Sequence, residues 1–331
     1  MDFKLKDLLD PIKVTPYPEL YHFTYSGISS RFKQLLNSQE ISFYQGKVRQ
    51  CLSKGDRLLI IHTDNLSAFD KFITNVPCKG ALLSSLSRYW YEQIQDQLPT
   101  AYISSPHERI LLLKKLKPVK MELVVRAYMA GSMLRAYNRG ERVFCGNRLP
   151  EGIKNYEKLP ELLVTPSSKA EAYAHDEERS PSQLIEEGIC SEKEWDYMQN
   201  CALNLFELGS EIYRKNGWIL ADTKYEFGRN EQGELFVIDE IHTPDSSRLW
   251  KLEGYETRFA QGQNPIMFDK EIIRKYLISQ GFQGEGGVPP IPRYLIQTFL
   301  RSYLDVNETL WKQEFTIQEG VPENIILPYF E

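Results

Sequence analysis

The chain has 331 residues, of which 42% are hydrophobic and 26% charged, with a formal net charge of -5; it is sized for about two ordinary globular domains and is far from the composition of disorder. That acidic balance excludes a general nucleic-acid binder, whose affinity comes from many lysine and arginine contacts to phosphates. Charges interrupt the apolar residues of Met1 to Asp10 and no apolar run reaches about 18 residues, so neither export nor a membrane span is indicated and the cytosol is the expected compartment.

In chain order, Ser42 to Gln45, Lys47 to Leu52 and Arg57 to Thr63 are predicted strands, divided by Gly46 and by the turn Ser53 to Asp56. Apolar spacing predicts a helix over Leu82 to Leu98, stopped by Pro99. Pro118 opens a second region in which Val119, Met121, Leu123 and Val125 alternate as in a half-buried strand, followed by a helix from Ser132 to Arg139 closed by Gly140. Glu151 to Ser182, with three prolines, reads as a long functional loop. Ser191 and Glu194 form a capping-box pattern ahead of a helix to Asn216, with Trp195, Met198, Ala202, Leu205, Phe206 and Gly209 as its buried stripe. Strands are predicted over Trp218 to Phe227 and Leu235 to Ile241, joined by a turn at Gly233, and two more helices over Asp269 to Gln280 and Pro292 to Gln313. The whole reads as α+β, with antiparallel sheets and covering helices.

Five cysteines without a CxxC pair give no disulfide framework and read as buried thiols; five histidines without HExxH spacing direct any metal to oxygen ligands. Period-two alternation puts Asp222, Lys224 and Glu226 on one strand face. A register pairing Glu226 with Val237 would set Lys224 opposite Asp239 and leave Glu226 diagonal to it, within reach of a shared ion. Magnesium suits two carboxylates, although a solvated face of cross-strand ion pairs fits the same spacing. The acids, hydroxyls and arginine of Asp239 to Trp250 follow at a strand end, where sites are commonly built. Gly46 between two strands, with Lys47 and Arg49 to one side, reads either as a phosphate-holding turn or as a plain hairpin. Arg126 and Ser132 form either an anion site at a helix start or an ordinary cap beside a surface arginine. His175 and Asp176 read as an imidazole oriented by its neighbour in a loop. GxxxxGK[ST] is lacking and so is a GxGxxG ahead of a helix.

In order, GKVR (Gly46 to Arg49), TDNLSAFD (Thr63 to Asp70), ELVVRAYMAGS (Glu122 to Ser132), TPSSKAE (Thr165 to Glu171), HDEERS (His175 to Ser180), LADTKYEFG (Leu220 to Gly228) and DEIHTPDSSRLW (Asp239 to Trp250) resemble the SAICAR synthetase family, in its longer, fungal-type form. The resemblance implies an ATP- and Mg²⁺-dependent ligase joining L-aspartate to the carboxylate of carboxyaminoimidazole ribotide (CAIR). Phosphorylating that carboxylate would make an acyl phosphate for the aspartate amine to displace.

By the same resemblance, Gly46, Lys47 and Arg49 cover phosphates, while Met121, Glu122 and Leu123 border the adenine. Arg126, Ser132 and Arg248 hold the ribotide, and Asp222 and Lys224 line the reaction centre. Glu226 and Asp239 hold the metal. Asp64, Ser67, Asp70, Lys270 and Arg274 are further candidate substrate contacts. Asn65 stands where the family commonly has arginine, and Ala127 where it has glycine. The implied organisation is a β-rich domain (1–118) with the phosphate-covering loop, an α+β nucleotide- and substrate-binding domain (119–268), a nucleotide-binding cleft between the two, and a helical region (269–331) of packing helices. The expected partners are the small molecules CAIR, L-aspartate and ATP, with no nucleic acid or membrane, and the expected assembly is a monomer or small homo-oligomer. The alternatives are a small-molecule kinase on a related scaffold, set apart by what accompanies ADP release, and a non-catalytic nucleotide-binding regulator, set apart by ATP binding indifferent to magnesium.

Overall fold

The computed structural model describes residues 3–4, 34, 41–169, 177–317 and 326–329; His175 and Asp176 lie outside them. Contacts divide the chain into two compact units, one of residues 1–92, 101–115 and 270–331 and one of residues 93–100 and 116–269.

The first unit begins with β1 (Ser42–Gln45), β2 (Arg49–Lys54) and β3 (Arg57–His62). Gly55, at φ +57°, and Asp56 make the two-residue turn between β2 and β3, a position where glycine carries no steric cost. A small hairpin, β4 (Asn65–Ala68) with β5 (Lys71–Asn75), leads into α1 (Lys79–Ile94), which starts three residues before the predicted Leu82. The signal for that early start is tertiary and is described with Asp64 below. β6 (Tyr102–His107) and β7 (Ile110–Lys114) complete a five-stranded antiparallel sheet in the order β1-β2-β3-β7-β6.

The second unit is built on one antiparallel sheet. β8 (Met121–Tyr128) leads to α2 (Gly131–Asn138). β9 (Lys158–Ser168) lies where a loop was expected. Its prolines point to a loop, but Arg179 N–H donates to the carbonyl of Pro166, so the backbone polar groups of residue 166 point away from β8 and its missing N–H costs no ladder bond there. The capping-box prediction holds for α3 (Glu192–Lys215): the hydroxyl of Ser191 accepts from the Glu194 N–H, and the Glu194 carboxylate accepts from the Ser191 N–H. Its stripe of Trp195, Met198, Leu205 and Phe206 is buried, each such side chain stabilising the fold by ~1.5–3 kcal/mol.

β10 (Trp218–Arg229) is the central strand. It pairs with β8, β11 (Leu235–Ile238) and β12 (Ser247–Lys251), and β9 adds on beyond β8. Helix α3 lies against β10 and β8. The fold is thus α+β with antiparallel sheets, as the pattern of elements predicts.

The chain then returns to the first unit. α4 (Glu271–Ser279) and α5 (Arg293–Trp311) do not stand as a separate region: Leu295, Phe299, Leu300, Tyr303 and Leu304 share one core with Leu66, Ile73, Leu82 and Leu83. All five cysteines are unbridged, with Cys78, Cys190 and Cys201 buried. Among the described residues no helix is long and apolar enough to cross a membrane.

Candidate active site

Strand alternation places Asp222, Lys224 and Glu226 on one face of β10, and each meets a different set of partners. Arg126 of β8 and Arg248 of β12 stand directly opposite Asp222 on its two sides. Both donate to the same carboxylate oxygen, Arg126 Nη1 at 3.0 Å and Arg248 Nη1 at 2.7 Å from Oδ2. Arg126 also donates from Nε to the Thr165 hydroxyl at 2.9 Å and from Nη2 to the Ser132 hydroxyl at 3.0 Å. Two guanidiniums therefore face one carboxylate. Burial pushes Arg126 below its usual range while Asp222 pulls it up and Arg248 pushes it down again.

Space for this arrangement is made at the start of α2. Gly131 sits at φ +61°, and a Cβ there would stand 2.5 Å from the Arg248 guanidinium. Ser132 does not cap the helix as expected: Ala130 is the cap residue, without a side-chain bond, and Ser132 lies in the first turn with its hydroxyl turned to Arg126.

Two residues along β10 the charge balance reverses. The Lys224 ammonium bonds Glu226, lies 3.0 Å from Asp239 Oδ2 and stands 3.4 Å from Glu122 Oε2. Lys169 pairs with the other oxygen of Glu226. Here two lysines face three carboxylates. Burial and the neighbouring Asp239 raise Glu226 above the usual carboxylate range, against the pull of Lys224 and Lys169. Burial works against the Lys224 charge, but Glu226, Asp239 and Glu122 together hold it well above its ordinary value.

The expected register is corrected. Glu226 pairs with Ile238, not Val237, so a straight continuation of β11 would aim Asp239 away from Lys224. The strand instead ends at Ile238, and Asp239 enters the left-handed region at φ +64°. That turn brings its carboxylate back to the lysine, so the two acids converge by a backbone twist that alternation does not encode.

Lys169 and Thr165 carry no assigned role in the sequence reading. Both follow from β9, whose Thr165 and Ser167 pair with Val124 and Glu122; the period-two run of Leu163, Thr165, Ser167 and Lys169 was the available signal. Met121 and Leu123 are buried and alternate with Glu122, which alone of the three reaches the Lys224 cluster.

The remaining expected residues belong to the first unit. Gly46 turns the chain between β1 and β2, its N–H donating to Arg49 O at 2.8 Å. Lys47 and Asp70 form an exposed ion pair at 2.7 Å, and the Asn65 amide donates to Lys47 O at 3.0 Å. Phe69 and Asp70 form the turn between β4 and β5, with φ of 51° and 59°; the Arg274 guanidinium lies 4.8 Å from the Phe69 ring centre. Ser67 is half-buried on β4 and Lys270 precedes α4. Asp64, expected near substrate, is buried with its carboxylate bonded to Arg109 at 2.6 Å and to the backbone N–H groups of Gly80 and Cys78. That network ties Asp64 to the start of α1.

This geometry has known relatives. The family model described as SAICAR synthetase matches residues 42–289. The chain is 39% identical over 310 residues to the chloroplastic phosphoribosylaminoimidazole-succinocarboxamide synthase of Arabidopsis thaliana, covering 91% of this chain and 72% of that one. It is 37% identical over 277 residues to the phosphoribosylaminoimidazole-succinocarboxamide synthase of Legionella pneumophila strain Lens, covering 82% and 88%. The structure of the Saccharomyces cerevisiae SAICAR synthase in complex with SAICAR superposes with a TM-score of 0.73 at 28% identity, covering 84% of this chain and 97% of that one. With the family model spanning most of its length and relatives this similar, the chain belongs to the SAICAR synthetase family.

Proposed function

We infer that this chain joins L-aspartate to the carboxylate of carboxyaminoimidazole ribotide and converts ATP to ADP and phosphate, making SAICAR for purine biosynthesis. Family membership supplies the reaction. The observation in this chain that carries it is the reversal of charge along β10, with two arginines on one acid at Asp222 and two lysines among three acids at Glu226.

Arg126, Arg248 and Ser132 offer fixed donors to an anionic ligand, and guanidiniums suit the planar oxygens of carboxylate and phosphate. In this reading they hold the ribotide, and Asp222 keeps both guanidiniums aimed. Lys224 and Lys169 are point charges on flexible stems, able to swing from Glu226 to phosphate oxygens. Lys47 and Arg49 are the phosphate-contacting cations proposed for the first unit. Asp222 and Lys224 line the reaction centre.

Glu226 and Asp239 fit Mg²⁺. Their oxygens already share one cation, the Lys224 ammonium, and among the described residues no group of three or more His, Cys, Asp or Glu is placed to hold a metal. Two carboxylates suit an ion that keeps several waters and draws its other ligands from phosphates. Such an ion, when bound, neutralises charge on the nucleotide phosphates. The cytosol is the compartment proposed for this reaction.

The test is ADP release by purified protein. Release should require aspartate and the ribotide together, and Glu226→Ala and Asp239→Ala should each lower turnover by about 10²–10³-fold, the scale of losing a major electrostatic element, with unchanged circular dichroism. Parent-level turnover in both variants, or ADP formed together with a phosphorylated alcohol, would refute the reading.

A further inference from the structure

The turn after β11 carries Asp239 and runs on to Ser246, whose carbonyl accepts from the Lys224 N–H at 3.0 Å. It contains two non-glycine residues in the left-handed region, Asp239 and His242, the latter at φ +52°. Such conformations cost free energy and persist where the surroundings over-determine them. For His242 those surroundings are specific. The residue is fully buried, its Nε2 lies 2.5 Å from the Tyr225 hydroxyl, and its carbonyl accepts from the hydroxyl of Tyr213 on α3. Gly209 of α3 faces the ring so closely that a Cβ there would stand 2.5 Å from Cε1.

Tyr225 lies between Lys224 and Glu226 in β10, so its side chain leaves the sheet on the face opposite theirs. The turn therefore presents a carboxylate on one face of the strand and anchors an imidazole on the other, three residues later. Burial holds the His242 ring down to about 3. It is neutral at working pH, and its contact with Tyr225 is a bond between uncharged groups.

We propose that His242 is a positioning residue of the ligase, locking the 239–246 turn to Tyr225 and Gly209 behind β10 and so fixing the Asp239 carboxylate relative to Glu226. The proposal rests on the reading of those two acids as the Mg²⁺ pair. His242 contacts neither acid; its effect passes through the short backbone segment that separates it from Asp239.

Tyr225→Phe deletes the hydroxyl and keeps the ring, while Gly209→Ala pushes the imidazole from its seat. Mn²⁺ binding in the presence of ADP, followed by the electron paramagnetic resonance signal of the unbound ion, reads the carboxylate pair directly. Tyr225→Phe should bind Mn²⁺ about tenfold more weakly, the scale on which groups supporting metal ligands act, with an unchanged KM for aspartate and a melting temperature within a few degrees of the parent. Gly209→Ala should lose more, and should it fail to fold, Tyr225→Phe decides alone. Parent affinity for Mn²⁺ in folded Tyr225→Phe overturns the role of His242. A parent protein that itself fails to bind Mn²⁺ with ADP overturns the metal reading beneath it.

Discussion

A buried aspartate–arginine pair stands in each unit of the molecule, and the two are satisfied differently. In the first unit Asp64 takes both Nη1 and Nη2 of Arg109, at 2.6 and 3.2 Å, and uses its remaining capacity on the N–H groups of Gly80 and Cys78, at 3.0 and 3.2 Å. In the second, Asp222 is divided between Arg126 and Arg248, and Arg126 spends its other donors on neutral hydroxyls. The titration directions agree with the geometry. Burial opposes the Arg109 charge, but Asp64 lifts it above the usual arginine value; burial leaves Arg126 below that value, since its acid is shared with a second cation. A buried ion pair is therefore not by itself a mark of a site. The acid of the first unit is closed off by one guanidinium and two backbone N–H groups, whereas the acid of the second is shared between two guanidiniums, the arrangement that the proposed ribotide site uses.

The most severe way to break this contrast is to remove the closed acid. Asp64→Ala leaves Arg109 buried without its partner and strips two N–H groups at the start of α1, so it should cost about 3–5 kcal/mol. That is a large share of a typical stability of about 5–15 kcal/mol. The urea midpoint should fall accordingly. A variant as stable as the parent would show that Asp64 is not the anchor of the first unit.

Arg126→Lys tests the open pair. It keeps a charge but loses the fork that reaches Asp222, Thr165 and Ser132 at once. Hydrogen bonds to charged groups contribute ~1.5–3 kcal/mol, so the KM for the ribotide should rise about 10- to 100-fold while the KM for ATP stays near its parent value. An equal rise for both substrates would place Arg126 in general support, alongside Arg109.

How much of this contrast could be read beforehand depended on the distance over which each signal acts. The shared face of Asp222, Lys224 and Glu226 needs nothing beyond strand alternation, and the cap of α3 lies within four residues, so both were legible. The bond of Asp64 to Arg109, 45 positions away, was not legible, since no local pattern announces it. Pro160 and Pro166 hid β9 and with it Lys169, since the harmless side of a strand for proline is known once its neighbours are. The convergence of Glu226 and Asp239 was anticipated through the wrong register, because the left-handed Asp239 breaks alternation at the step that matters. The blocks that carry the family resemblance contain Asp64, Pro166, Lys169, Asp222, Lys224, Glu226 and Asp239, but a block names residues without saying which are closed off and which are shared.

Glu194 extends the comparison to a partly exposed acid, where the smallest effect is expected. Its Oε1 accepts from Arg229 Nε at 2.5 Å, and its Oε2 accepts from the backbone and hydroxyl of Ser191 at 2.7 and 2.9 Å. The Arg229 bond, opposed by partial burial and helped by Ser191, lowers the Glu194 carboxyl from 4.5 to about 2. A folded value below the unfolded one means that this stabilisation is fully present above pH 4.5 and is lost as pH falls through about 2. Glu194→Gln should accordingly lower stability at neutral pH by about 1 kcal/mol, the usual scale for a helix cap, and its deficit against the parent should shrink as urea titrations move from pH 4.5 towards pH 2. A deficit constant over that range would assign the effect to hydrogen-bond geometry and remove the carboxylate charge from the account. A deficit near that of Asp64→Ala would show that partial exposure offers no discount, and that closure by the chain's own donors is not what separates structural acids from the acid at Arg126 and Arg248.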